Sequence, residues 1–289
     1  MVQTNYFRNK ASYMLWLLIT FMLCTQQVMA AKDNQEGQCI NIDKVKYRIA
    51  YLCKMAPDTT KVPYNYWESE TRLDIGNKTT HFYDRSKQVK DSIMAEQNNI
   101  GIYEGKKLPK VVFSWELYKN YPSDGETSFL DKLATNNYLC IEKVEIPDWK
   151  IIPDSSTSII GYKCQLAKAS FKGRIWYAWY TEDIPLSEGP WKLYGLPGLV
   201  LRAYDQSKQY IFDAIGMASL NGSTHITFAQ KKREKITQKE LREAKDKFDA
   251  VEALHAMERK TGITFKGGLP AGAIKALNRR LKGNPIELE

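Results

Sequence analysis

Apolar and polar residues alternate through the first two-thirds of this chain with the period of a β-strand. Val45, Tyr47, Ile49 and Tyr51 fall on one side of an extended segment, and Lys46 and Arg48 on the other. That pattern predicts a strand buried on one face. Similar segments follow at 66–75, closed by Gly76-Asn77, and at 110–118 and 138–146. A short one at 149–152 is stopped by Pro153. The densest block runs 159–171 and 174–181 around Lys172-Gly173, a hairpin signature. Another pair, 199–204 and 210–217, brackets Asp205-Gln206-Ser207-Lys208.

The segment Arg174 to Thr181 (RIWYAWYT) is bulky on both sides, with Ile175, Tyr177 and Trp179 opposite Trp176 and Tyr180. Such a strand is expected to be covered on both faces, most simply as a central strand backed by a helix. Two helices are predicted. One spans Arg85 to Gln97. The other opens at Thr237 with Glu240 three residues on, a capping box, and carries Leu241, Ala244, Phe248, Val251 and Leu254 at helical spacing to Lys260. A shorter helical stretch is expected at 271–281. No repeat or low-complexity linker interrupts the pattern. The expected fold is mainly β (α+β): a curved antiparallel sheet or half-barrel in one domain, 31–289, covered by a C-terminal amphipathic helix at 237–260.

The first 30 residues change the context. Arg8 and Lys10 precede a short apolar run, Leu15 to Cys24, and Val28-Met29-Ala30 sets small residues before a cut after Ala30. That is the order of a secretory signal peptide. The run is about half the ~20 residues needed to span a bilayer. No second long apolar run follows, so no membrane span is expected after cleavage. Net charge is +9. For an exported protein the natural counter-surface is anionic lipid, polysaccharide or an acidic protein, and nucleic acid is not expected. Cys39, Cys53, Cys140 and Cys164 follow the signal, an even number that reads as two disulfides in an oxidising compartment. Three connectivities are open. Neighbour pairing, Cys39–Cys53 and Cys140–Cys164, asks only for adjacent strands and is the expected one.

Little catalytic chemistry is visible. The three histidines, His81, His225 and His255, lie far apart, and no CxxC or paired-His spacing occurs. No metal or cofactor is therefore expected. There is no GxSxG elbow, and Cys164 beside Lys163 reads as a disulfide partner rather than a nucleophile. Glu182 and Asp183 are adjacent and point apart on an extended chain. With Asp205 they supply the alternative reading, a hydrolase with a carboxylate site assembled by the fold. By elimination the aromatic mid-block is the contact candidate: Trp176, Trp179, Trp191 and Tyr194 offer apolar area with polar tips. Gly195, Leu196, Pro197 and Gly198 read as a structural turn, the glycines admitting backbone that a side chain forbids.

Taken as a set, Ile160-Gly161-Tyr162-Lys163-Cys164, Lys168-Ala169, Phe171-Lys172-Gly173-Arg174, Trp179-Tyr180-Thr181, Ile184-Pro185, Gly189-Pro190 and Gly195-Leu196-Pro197-Gly198-Leu199-Val200 resemble the GLPGLI family, with Val for its final Ile. The tail Asn284-Pro285-Ile286-Glu287-Leu288 matches in order as well. The resemblance implies an exported Bacteroidetes protein working near outer-membrane transport systems, in the periplasm, on the outer membrane or secreted. It implies no catalytic residues. The expected function is a non-enzymatic envelope accessory or binding protein, its partner an outer-membrane transporter, another envelope protein or a hydrophobic ligand.

Overall fold

A computed structural model describes residues 38–100, 109–133, 136–261, 274 and 283–288. The signal segment, Cys24 and most of the 271–281 stretch lie outside these residues. Among the described residues, those of Met1–Ile42 with Thr227–Lys232 make up one compact unit, and those of Asp43–Ile226 with Arg233–Glu289 a second. Strands β1 (Cys39–Lys44) and β13 (His225–Ala229) pair in a two-stranded ladder.

The other strands belong to one sheet. In chain order they are β2 (Tyr47–Met55), β3 (Trp67–Ile75), β4 (Thr80–Asp84), β5 (Glu116–Lys119), β6 (Glu126–Leu133), β7 (Asn136–Lys143), β8 (Lys150–Ile159), β9 (Tyr162–Phe171), β10 (Arg174–Thr181), β11 (Leu199–Asp205), β12 (Tyr210–Ser219) and β14 (Glu234–Lys235). Their spatial order, β14-β7-β6-β5-β4-β3-β2-β12-β11-β10-β9-β8, makes two meanders. One runs β2 to β7 and the other β8 to β12. They meet at a single seam, where β12 pairs with β2 from Tyr210↔Met55 to Ser219↔Tyr47 with a bulge at 214/216. All of these ladders are antiparallel except the two-residue pairing of β14 with β7. The sheet does not close into a barrel.

The alternation in the sequence selects the inner face. Ile49, Tyr51 and Cys53 of β2, Trp176, Ala178 and Tyr180 of β10, and Leu199, Leu201 and Ala203 of β11 are buried in one core. The outer side of β10 departs from expectation. Ile175, Tyr177 and Trp179 are half-buried, and no helix among the described residues packs on β10 as a second layer. Tyr177 instead stacks on its cross-strand neighbour Tyr204 and lies under Lys168. Cross-strand aromatic pairs of this kind stabilise a sheet face without a second layer.

Helix α1 (Arg85–Ile100) follows β4 directly. Asp84 accepts the backbone N–H groups of Ser86 and Lys87 at its start and those of Val112 and Phe113 from the returning chain. The helix expected at 237–260 is two helices, α2 (Gln238–Asp246) and α3 (Ala250–Thr261). The capping box forms as read, Thr237 taking the Glu240 N–H and Glu240 the Thr237 N–H. The break comes where Asp249 accepts the N–H groups of Val251 and Glu252, capping a new helix. Strand β8 also differs from its predicted end at Pro153. It continues to Ile159, slipping register between Ile152 and Ser156 at the open edge of the sheet, where a missing N–H is tolerated.

The two disulfides are a correction. Cys39, Cys53, Cys140 and Cys164 are all free thiols. Cys53 is buried and its sulfur meets Thr71 Oγ1 at 2.9 Å. Cys140 on β7 and Cys164 on β9 have the strands β6 to β10 of the spatial order between them, so the adjacency that neighbour pairing needs is absent. Burial pushes the Cys140 thiol up to about 12, helped by Glu142 and Asp131, and also raises the Cys53 thiol well above its ordinary value.

Asp43 illustrates how a single carboxylate fixes a turn. It accepts the backbone N–H groups of Lys78 and Thr79 and the Asn77 side chain, closing the β3–β4 connection. Burial alone would raise its pKa. The N–H groups of Lys78 and Thr79, the Asn77 amide and the Lys44 N–H outweigh burial and pull it from 3.8 to about 2. The folded value lies below the unfolded one, so protons favour the unfolded state. The contribution is complete above about pH 4 and is lost as pH falls through about 2. Urea titrations at pH 5 and pH 2 are expected to show wild type losing more stability on acidification than Asp43→Asn. An equal loss would remove Asp43 from the account.

Candidate functional site

The segment 182–198 leaves β10 and returns to pair as β11, so that Thr181 and Leu199 stand side by side at its neck. Between them the chain folds over the inner face. Trp191 is 1% exposed, Tyr194 4%, and Leu193 and Leu196 are buried. Trp191 packs on Trp176 with ring centroids 5.4 Å apart, and Trp176 on Phe212 at 6.2 Å. The glycines serve this path. Gly195 has φ of +97°, and a Cβ on Gly198 would stand 2.0 Å from the Thr181 carbonyl oxygen at the neck.

Buried ion pairs hold the crossing to the far wall. Lys192 binds Glu142 of β7 and, at 2.8 Å, Glu287 of the tail. Lys119 of β5 binds Glu188 and lies 4.5 Å above the Tyr194 ring. Trp149 donates its indole N–H to the Tyr194 carbonyl oxygen at 2.9 Å. Burial raises the Glu188 carboxyl against the opposing pull of Lys119.

Arg174 is the second anchor. Its side chain is 4% exposed, like that of Asp205, its ion-pair partner. Nε donates to the Ile286 carbonyl oxygen, one terminal nitrogen to Asp205 and Gln209, and the other to the Asn284 side chain and the Pro285 carbonyl oxygen. All five N–H donors of the guanidinium are therefore used. Tyr210 adds its hydroxyl to the Asn284 carbonyl oxygen. Residues 284–287 are sewn to the sheet and form one wall of a cleft.

That cleft has a cavity volume of about 210 Å³ and opens to solvent. Its aromatic wall is Phe113, Trp115 and Phe129, with Trp67 beside them under Lys110. Trp115 stacks between Phe82 at 5.8 Å and Phe129 at 5.6 Å, which ties the wall into the core. Helix α2 supplies the opposite side. Gln238, Leu241, Arg242, Lys245 and Asp246 share one helical face and line the cleft. Leu241 packs into the core, and Lys245 reaches the buried Asp131, which also takes the Ser114 hydroxyl at 2.8 Å.

The contact residues read from sequence lie elsewhere. Trp176, Trp191 and Tyr194 are core, and Trp179 is half-buried on the outer face. None of them lines the cleft. Glu182 and Asp183 are exposed after β10, whereas Asp205 is committed to Arg174 and the Tyr210 N–H. His81 is stacked between Tyr83 and Tyr118 at 4.4 and 4.0 Å, with Nε2 3.1 Å from Glu116. The cleft residues escaped sequence reading because 112–115 is irregular chain inside what looked like a strand from 110. Arg174 carried a faint signal, a lone charge opening an otherwise aromatic strand.

Residues 168–202 match the model of a family described as a protein of unknown function, Porph_ging. The match runs from β9 through Arg174, the crossing and its glycine turn into β11. A comparison with curated proteins finds no match. Among solved structures, one of PNGF-II in a C2 crystal form is similar with a TM-score of 0.46 and 15% identity, over 68% of this chain and 32% of that one. A second, PNGF-II in a P21 form, gives 0.47 and 16% over 69% and 33%. The chain spans about a third of the length of the structures it matches.

Proposed function

We propose that this is an exported, non-enzymatic binding protein of the cell envelope, with its ligand site in the cleft beneath α2. One observation carries the reading: a stacked aromatic wall faces a helix across a preformed space. Preformed clefts with apolar walls and a few polar groups are the usual form of small-molecule sites. The N-terminal pattern of residues 1–30 supports export, as does the GLPGLI-like run at Gly195–Val200. That finer family assignment would place the protein beside an outer-membrane transport system, in the periplasm, at the outer membrane or released. Among the described residues no helix is long and apolar enough to cross a membrane.

The test uses Nile red, a neutral probe that reports apolar sites by its emission. It is expected to bind the folded protein. Trp67→Ala, which removes a half-buried wall residue, is expected to weaken it by about tenfold, in line with the area an indole contributes. Trp179→Ala, on the outer face, serves as the control. Equal weakening by both, or no binding at all, would remove the cleft as the site.

A further inference from the structure

We propose that the cleft selects a single-headed amphipathic anion, its apolar body on the aromatic wall and its carboxylate or phosphate head at Arg242 and Gln238. This rests on the reading of the cleft as a ligand site and specifies what enters it. Neutral apolar molecules alone would not account for how hydrogen-bonding capacity is distributed around the space.

Most acceptors of the tail wall are already engaged, although Glu287 Oε1 has an ion pair and no hydrogen bond. The carbonyl oxygens of Pro285 and Ile286 and the side-chain oxygen of Asn284 are turned to Arg174. The Asn284 carbonyl oxygen takes the Tyr210 hydroxyl. Behind the wall, Asp131 is saturated by Ser114 and Lys245. Glu287 stands 2.8 Å from Lys192. The one carboxylate left without an ion pair among the described lining residues is Asp246, exposed at the rim.

The donors are the reverse. Arg242 lines the cleft half-buried, with neither an ion pair nor a side-chain hydrogen bond among the described residues. The amide nitrogen of Gln238, one helical turn earlier on the same face, is buried without a partner among those residues. A buried donor left without an acceptor is costly, so such a pair is stable when something supplies acceptors. Arg242 offers a planar fork suited to carboxylate or phosphate oxygens, and Gln238 a further N–H. The aromatic wall opposite accepts the remainder of the molecule. Donor-rich on the helix side and apolar on the sheet side, the cleft matches a molecule with one anionic end.

The experiment compares dodecanoate and dodecyl phosphate with dodecanol, each below its micelle concentration, by displacement of Nile red from the full chain. The anions are expected to bind about tenfold more tightly than the alcohol, the worth of one charge-assisted hydrogen-bonded contact. In Arg242→Ala the ratio is expected to fall to near one. Arg242→Gln repeats the comparison with side-chain bulk retained, should the alanine variant fold poorly. Preference for only one of the two anions identifies the head group within the class. Equal binding of anion and alcohol, or a ratio that survives both Arg242 variants, would overturn the proposal and leave the cleft reading intact. The same holds if Nile red binds and no amphiphile displaces it. If Nile red itself does not bind, the cleft reading fails and this inference with it.

Discussion

Arg174→Ala is expected to lower the unfolding free energy by about 3–5 kcal/mol, the range for removing one partner of a buried charge pair. The substitution leaves Asp205 buried with its charge, still accepting the Tyr210 N–H but without its cation. It also orphans the Ile286 and Pro285 carbonyl oxygens and the Asn284 side chain. Arg174→Lys keeps the charge but offers three donors from one point, so it cannot reach acceptors spread around a planar fork. Its loss is expected to be smaller than alanine's and still above about 1 kcal/mol. Urea unfolding gives the free energies, and limited proteolysis reports residues 283–288, which should become cleavable in the alanine variant under native conditions. Alanine costing less than about 1 kcal/mol, with the tail still protected, would show that the hub is not what holds the tail.

The second large effect is at Trp191. Trp191→Ala is expected to destabilise by about 3–5 kcal/mol, because the emptied volume lies against Trp176 and Phe171 in a core that can collapse only partly. Trp191→Phe separates volume from hydrogen bonding. The Trp191 indole nitrogen is buried without a partner among the described residues, so phenylalanine forfeits packing but no hydrogen bond. Its loss is expected to be about 1–2 kcal/mol, and urea midpoints with unchanged m-values would measure both variants. Nile red affinity of the folded phenylalanine variant should match wild type, since Trp191 does not line the cleft. A phenylalanine variant as stable as wild type that no longer binds the probe would return Trp191 to the role of contact residue.

What was legible in the sequence was local. Alternation placed β2, β3, β10, β11 and β12, because each buries one side of a pleat and its side chains record that directly. Lys172-Gly173 gave the β9–β10 hairpin, with Arg174 facing Phe171. The capping box at Thr237 formed because its partners are three residues apart. The missed break after Asp246 was also written locally: Asp249 and Glu252 repeat the spacing of a cap, masked by apolar residues that keep helical period across it. The cleft was not legible in this way. Its walls come from irregular chain at 112–115, one face of α2 and residues 283–287, which share no period and meet only through the sheet. The disulfides were overread for the same reason. Counting thiols says nothing of β7 and β9 standing near opposite ends of the strand order.

The junction of β2 with β12 has a consequence for the order in which this protein is made. Within each meander the paired strands follow one another in the chain, so hairpins such as β9–β10 can form as soon as both arms are synthesised. The seam is different: residues 47–55 wait for 210–219. Pairing over so long a loop is slow, since the entropy of closure is met before any contact repays it. Until then β2 presents an unpaired ladder edge bearing Ile49, Tyr51 and Cys53, the kind of edge on which chains associate with one another. Made from its N-terminus, the chain presents that edge first and its complement only after most of the sheet has been synthesised. The time between the two is when a holding chaperone would matter most to its yield.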